Sequence, residues 1–399
     1  MSKCQIALVV PALAHGGGVP AVARFLYNVI AESDRYRPEL ISLATSMLDQ
    51  SSVRLLSPTS YFRGPQIVSG TWEEKPFLHV GAVLVELEFQ RYRPRKVLTN
   101  LLNRYDLIQV VAGTPGIALA MTRVERPVCI FVATTAGMER STLLSQERGL
   151  GKAWLSGMTS INTAMERRAL PRMSHVFAES KYTQRLLCDI VPKDRLSIGV
   201  PGVDTQLFHP ETYREESYIL SVGRFADPRK NVKMLFEAYY NLRQAMPHSP
   251  RLMLVGKSPP SRAALDLLVS LGIADCVDIK LDATVDELAE LYRNAALFVL
   301  SSDEEGLGVV ILEAMASGIP VISTRSGGPE TIIIEGKTGC LTPIGDARAL
   351  TDKIQALLVD ASLRRRMGET GRRVAEERFS IEAAGKVYLE KYDELTSAK

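Results

Sequence analysis

Glu305 and Glu313 stand with seven residues between them in the segment 301–324, SSDEEGLGVVILEAMASGIPVIST. Glu305 lies in a loop of acids and glycines. Glu313 falls inside an apolar helix expected from about residue 308 to residue 317, where Gly318 suits the left-handed position past a helix end and Pro320 forbids continuation. An unpaired carboxylate on such a helix is costly to bury, so Glu313 either finds a partner in the fold or faces a polar ligand. Taken alone, the two acids are open to general acid/base work or, through Asp303-Glu304-Glu305, to cation binding.

Two basic residues narrow that choice. Arg224 follows an apolar strand at 218–223, and Lys230 ends the polar turn after it, so both are expected at the strand-end edge that also carries the 301–308 loop. Arg offers bidentate hydrogen bonds and Lys a point charge, which together suit a diphosphate. Gly306, Leu307 and Gly308 add backbone donors at a helix start. Gly223 and Gly256 close two strands at the same edge and complete the candidate donor-binding set. Carboxylates beside an anion site repel the anion and suit hydroxyls instead. A diphosphate flanked by hydroxyl-bearing groups on both sides is a nucleotide-sugar.

The elements that must position these residues alternate. Cys4–Pro11 reads as a strand, His15-Gly16-Gly17-Gly18 as a glycine turn, and the residues from Val19 as a helix. Such a turn lets backbone N–H groups approach an anion at the helix start; it equally serves a tight turn, and it is not a dinucleotide fingerprint. Residues 31–105 are irregular, and the basic run 91–96 reads as a solvated face. Residues 107–111 and Val128–Val132 read as buried strands of a parallel sheet. The second is followed by Ala133-Thr134-Thr135-Ala136 at its carboxyl end, where open α/β sheets bind ligands. A helix over 153–170 and a strand near 174–180 follow, with His175 read as structural. A polar segment at 209–217 reads as a linker. Beyond it, strands at 218–223, 251–255, Val277–Leu281 and 297–300 alternate with helices. The pattern argues for two doubly wound parallel sheets with a cleft between them.

The length of 399 residues suggests more than one domain. A composition of 46% hydrophobic and 23% charged residues is that of an ordinary globular protein able to build full cores. Five scattered cysteines without a CxxC pair argue against a disulfide framework or a zinc site and for a cytoplasmic compartment. The first apolar run reads as a strand rather than a signal peptide, and no apolar stretch approaches the roughly 20 residues of a membrane span. The net charge of +3 is uneven: residues 1–205 carry 24 Lys and Arg against 17 Asp and Glu, or +7, and the remainder carries 24 against 28, or −4. A basic first half suits an anionic substrate or peripheral contact with the inner face of a membrane. It lacks the interleaved aromatics of a nucleic-acid surface.

Taken together, Arg224 and Lys230, the EGLGVVILEAMASGIPVI segment with its E-x7-E spacing, Gly327-Gly328-Pro329-Glu330 and Gly16 to Gly18 resemble the retaining GT-B glycosyltransferases of family 4 over nearly the whole chain. The resemblance implies two Rossmann-like domains: an acceptor-binding domain at 1–205, onto which a C-terminal helix at about 379–399 packs back, and a nucleotide-sugar-binding domain at 206–378. It implies sugar transfer from a nucleotide-sugar, UDP-linked by expectation, with retention at the anomeric carbon. Arg224 and Lys230 would neutralise the leaving diphosphate, Glu305 would contact the donor sugar, and Glu313 would bind ribose hydroxyls. Neither metal nor cofactor is expected. The family's histidine after the strand Val128–Val132 is absent, leaving Thr134 or Thr135 as the candidate donor-sugar contact. The acceptor, whether a small molecule, a glycan or a lipid-linked glycan, has no motif. An epimerase of the same fold and a non-catalytic nucleotide-sugar-binding partner are the alternative readings.

Overall fold

Runs of aliphatic and β-branched residues set two separate sheets. The computed structural model describes residues 3–11, 13, 18–211 and 218–397. The chain divides into two units, Met1–Pro201 with Gly385–Lys399, and Gly202–Ala384. Among the described residues the cysteines form no disulfide bond.

The first unit is built on eight strands: β1 (Cys4–Pro11), β2 (Tyr36–Leu43), β3 (Ile67–Trp72), β4 (Lys75–Val80), β5 (Leu107–Ala112), β6 (Val128–Val132), β7 (His175–Ala178) and β8 (Leu196–Ile198). They lie in the order β3-β4-β2-β1-β5-β6-β7-β8. Every pairing is parallel except β3 with β4. β5, β6 and β7 are buried along their whole length, as expected for strands covered on both faces.

Two corrections to the sequence reading fall in this unit, and His175 proves structural as read. Residues 31–105, read as irregular, hold β2, β3 and β4. β3 and β4 turn through Glu73 and Glu74, whose φ values of 49° and 63° place both in the left-handed region. That is the twist a two-residue hairpin favours, supplied without the Asn-Gly pair that usually signals it. The helix read over 153–170 spans Gly149–Ala169. His175 sits inside the sheet, its Nε2 2.8 Å from Ser197 Oγ, and burial lowers its pKa to about 4.

The last helix runs from Ile381 to Ser397, and its residues from Gly385 onward belong to the first unit. Three polar side chains fix it there. Tyr388 Oη donates to Gly199 O at 2.7 Å, and Tyr392 Oη donates to Gln109 Oε1 at 2.8 Å. Asp393 accepts from Tyr36 Oη at 2.5 Å and pairs with Arg35. Gly385 is required for close approach, because a Cβ there would stand 2.8 Å from Val29.

The second unit holds six parallel strands: β9 (Tyr218–Val222), β10 (Leu252–Gly256), β11 (Val277–Leu281), β12 (Ala295–Leu300), β13 (Val321–Thr324) and β14 (Gly339–Thr342). Their order is β11-β10-β9-β12-β13-β14. The sheet grows one way from β9 to β11 and then restarts beside β9 with β12, so the order reverses between β9 and β12. That reversal is the topological switch point at which doubly wound sheets hold ligands outside the carboxyl ends of their strands. The expected pair of doubly wound sheets is thus present, one in each unit. Of the expected linker, residues 212–217 lie outside the described residues.

Tyr392→Phe leaves buried Gln109 Oε1 without its donor and is expected to destabilise the first unit by about 1–3 kcal/mol. Urea unfolding followed by hydrogen exchange at β1 and β5 checks it.

Candidate functional site

Both strands at the second unit's switch point end in the residues that the sequence singled out. After β9 come Gly223 and Arg224, and Asp227 then caps the tight turn Pro228–Lys230. Its Oδ1 accepts from Arg229 N at 3.1 Å, and its two oxygens hold the Arg229 guanidinium at 3.2 and 2.8 Å. Burial alone would raise the Asp227 carboxyl; the Arg229 hydrogen bonds outweigh it and hold the group below its ordinary value. Asn231, at φ 42°, ends that turn and caps the helix Val232–Ala245 through Oδ1. The turn points Lys230 inward, with 15% of its side chain exposed.

After β12, Ser301 Oγ donates to Lys230 O at 2.9 Å, tying the two strand ends together. The Lys230 ammonium pairs directly with Glu305 Oε1, which also accepts from Ser302 Oγ at 2.7 Å. The Glu305 backbone is bound on both sides, its N–H to Ser326 O and its carbonyl to Gly328 N, each at 2.9 Å. Gly328 has no room for a side chain, since a Cβ would lie 2.4 Å from Leu307 Cα and 2.5 Å from Gly306 O. Gly256 is equally confined, 2.5 Å from Gly223 O. Leu307 is buried and packs, while Gly308, at φ 84°, opens the helix Val309–Ala316.

Glu313 takes a different partner. It lies on the helix Val309–Ala316, whose Ile311, Leu312, Ala314, Met315 and Ala316 are buried. Tyr292 Oη donates to Glu313 Oε2 at 2.8 Å from the helix Val285–Arg293. Burial raises the Glu313 carboxyl to about 7, and the Tyr292 hydrogen bond acts against that rise.

The structure therefore brings Lys230 and Glu305 together, keeps Gly306, Leu307 and Gly308 next to them in the chain, and gives Glu313 a separate partner. Arg224 is exposed, with Asp227 3.6 Å away. Asp303 accepts from Asn231 Nδ2 at 2.8 Å instead of converging with Glu305. Among the described residues, no group of three or more His, Cys, Asp or Glu is placed to hold a metal ion.

In the first unit, Gly16 and Gly17 lie outside the described residues, and Gly18 opens the helix Gly18–Glu32. Thr134 N donates to Gly113 O at 2.9 Å, and Thr135 Oγ1 caps the short turn that follows. Sequence reasoning missed Glu166, which is 1% exposed and accepts from Ala136 N at 3.0 Å. Burial raises its carboxyl to about 7. Ser302, three residues before Glu305, was also missed, as were Ser301 and Tyr292, which act through contacts distant in sequence that no local pattern signals.

The switch-point site and the paired α/β units define the fold as GT-B. Residues 203–374 match the family model of glycosyl transferases group 1. An MMP α-(1→4)-mannosyltransferase of Mycolicibacterium hassiacum is 33% identical over 215 residues, 53% of this chain and 51% of that protein. The chain spans about half the length of the first curated relatives it matches, 51% in two of them. Sucrose-phosphate synthase from Thermosynechococcus elongatus superposes with a TM-score of 0.75 at 21% identity over 100% of both chains. Anabaena HepE in complex with UDP and glucose gives 0.68 at 16% identity, over 98% of this chain and 100% of that one.

Glu313 and Glu166, both at about 7 against an ordinary 4.5, hold protons in the folded protein that the unfolded chain releases. Their contribution to stability is therefore full below the unfolded value and is lost as pH rises through about 7. Glu313→Gln combined with Glu166→Gln is expected to flatten that fall. Urea midpoints between about pH 5 and pH 8 check it, and an unchanged slope in the double variant overturns it.

Proposed function

We propose that the protein is a nucleotide-sugar-dependent glycosyltransferase of the retaining, family 4 type, with a UDP-linked donor and no metal. The observation that carries this reading is the Lys230–Glu305 pair at the switch point of the second unit. Its relatives include named glycosyltransferases, and the similar HepE structure holds UDP and glucose.

On this reading the donor diphosphate takes the place of Glu305 as the partner of Lys230. The Lys230 ammonium and the Arg224 guanidinium then neutralise the charge that grows on the diphosphate as the bond to the anomeric carbon breaks. Glu305, released from Lys230 but still held by Ser302 and by its own backbone, accepts from hydroxyls of the sugar. Glu313 keeps one oxygen on Tyr292 and offers the other to a ribose hydroxyl. Gly223, Gly256, Gly306 and Gly308 let the backbone approach the donor. Because two cations serve the diphosphate, a divalent ion has no charge left to balance. On this reading the first unit binds the acceptor.

Lys230→Ala, Arg224→Ala and Glu305→Gln are each expected to lower kcat by about 10²–10³ in folded protein. Turnover of UDP-, GDP- and ADP-sugars, read as released nucleotide with and without EDTA, checks both claims. Near-normal turnover in the variants overturns the site assignment. Donor binding without turnover across an acceptor panel favours the non-catalytic partner, and inhibition by EDTA overturns metal independence.

A further inference from the structure

The geometry points to a pocket in the first unit built for an alkyl or acyl chain, so that the acceptor is an amphiphile. This rests on the glycosyltransferase reading and names the acceptor class. A cavity of about 390 Å³ opens where β2 and β4 end, a size ordinary for small-ligand sites. Leu13, Leu43, Leu48, Val68, Trp72 and Phe77 line it.

Its polar floor is satisfied from within. The His79 ring bridges Ser42 Oγ at 3.1 Å and Asp49 Oδ1 at 3.0 Å. Asp49 Oδ2 accepts from Ser51 Oγ at 2.7 Å and from Ser52 Oγ. Burial would raise the Asp49 carboxyl, yet these hydrogen bonds hold it down at about 2. Ser42 is only 3% exposed, so this chain braces the floor and presents no nucleophile. A charged or hydroxyl-rich group entering here gives up water and gains no free partner on that floor, a net cost. A hydrocarbon chain gains from burial at each methylene.

The mouth of the cavity is apolar as well. Leu48 is 73% exposed and Val68 47%, which leaves hydrocarbon surface in water at the place where a chain would enter. Leu13 follows β1 and Leu43 ends β2, so the cavity lies at the carboxyl end of the sheet, the side on which open α/β sheets bind ligands.

The chain has two tryptophans, Trp72 in the pocket and Trp154, which is 69% exposed. In a Trp154→Phe background, Trp72 emission therefore reports on the cavity. Dodecyl maltoside, titrated below its micelle concentration, is expected to change that emission saturably, and maltose is not. Leu48→Glu, at an exposed position, should weaken the response at least tenfold. Leu56→Glu, at an apolar residue 94% exposed that does not line the pocket, should titrate like the parent. No saturation, an equal response to maltose, or equal effects of the two substitutions overturns the pocket assignment. Nucleotide release from the donor is measured on the same samples and should be unchanged in Leu56→Glu, which lies outside the pocket lining. Its absence from the parent defeats the glycosyltransferase reading while leaving the chain-binding result to stand by itself.

Discussion

Lys230 and Glu305 hold each other where neither charge is comfortable alone. Both side chains are largely withdrawn from water, at 15% and 9% exposure. Removing one partner of such a pair leaves an uncompensated buried charge, which is strongly destabilising, whereas the intact pair gains little net stability. The loop at 301–308, the turn ending at Lys230 and the Gly327-Gly328 segment are arranged so that this pair can form. A site kept charged in this way is prepared for a ligand that carries its own charge. Exchange of one anion for another at Lys230 costs less than desolvating a lone ammonium on binding.

Glu313 follows a different rule although it shares the motif. Among the described residues no cation pairs with it, so burial pushes its carboxyl up to about 7 and a single phenol offsets part of that cost. The same solution recurs in the first unit, where Glu166 leans on one backbone N–H under the turn after β6. A carboxyl poised near neutrality can donate as well as accept, which suits contact with hydroxyls better than contact with a diphosphate.

Much of the second unit was legible because its chemistry is punctuated. The strand Val277–Leu281 and the helix around Glu313 follow from apolar period and from Gly318 and Pro320. Arg224, Lys230, Glu305 and Gly308 follow from strand ends and glycine. What local pattern could not give is pairing. Nothing near Glu313 marks Tyr292, which arrives from another helix, and Gly328 is fixed by the backbone of Leu307, not by its own turn. The first unit was harder for the same reason. The β3–β4 hairpin turns on Glu73-Glu74, residues that avoid the left-handed region unless the surrounding sheet imposes it.

This asymmetry has a chemical cause. A diphosphate demands fixed cations and glycines at fixed strand ends, and those leave a spacing that can be read along the chain. A hydrocarbon chain demands only apolar walls, and Leu13 after β1 and Val68, Trp72 and Phe77 of the β3–β4 hairpin supply them without any fixed spacing. None of those residues alone marks a ligand site. What separates the cavity from ordinary core is its floor, where Asp49, His79 and Ser42 satisfy one another and so have little left to offer a polar ligand. Specificity there comes from what the pocket refuses as much as from what it holds.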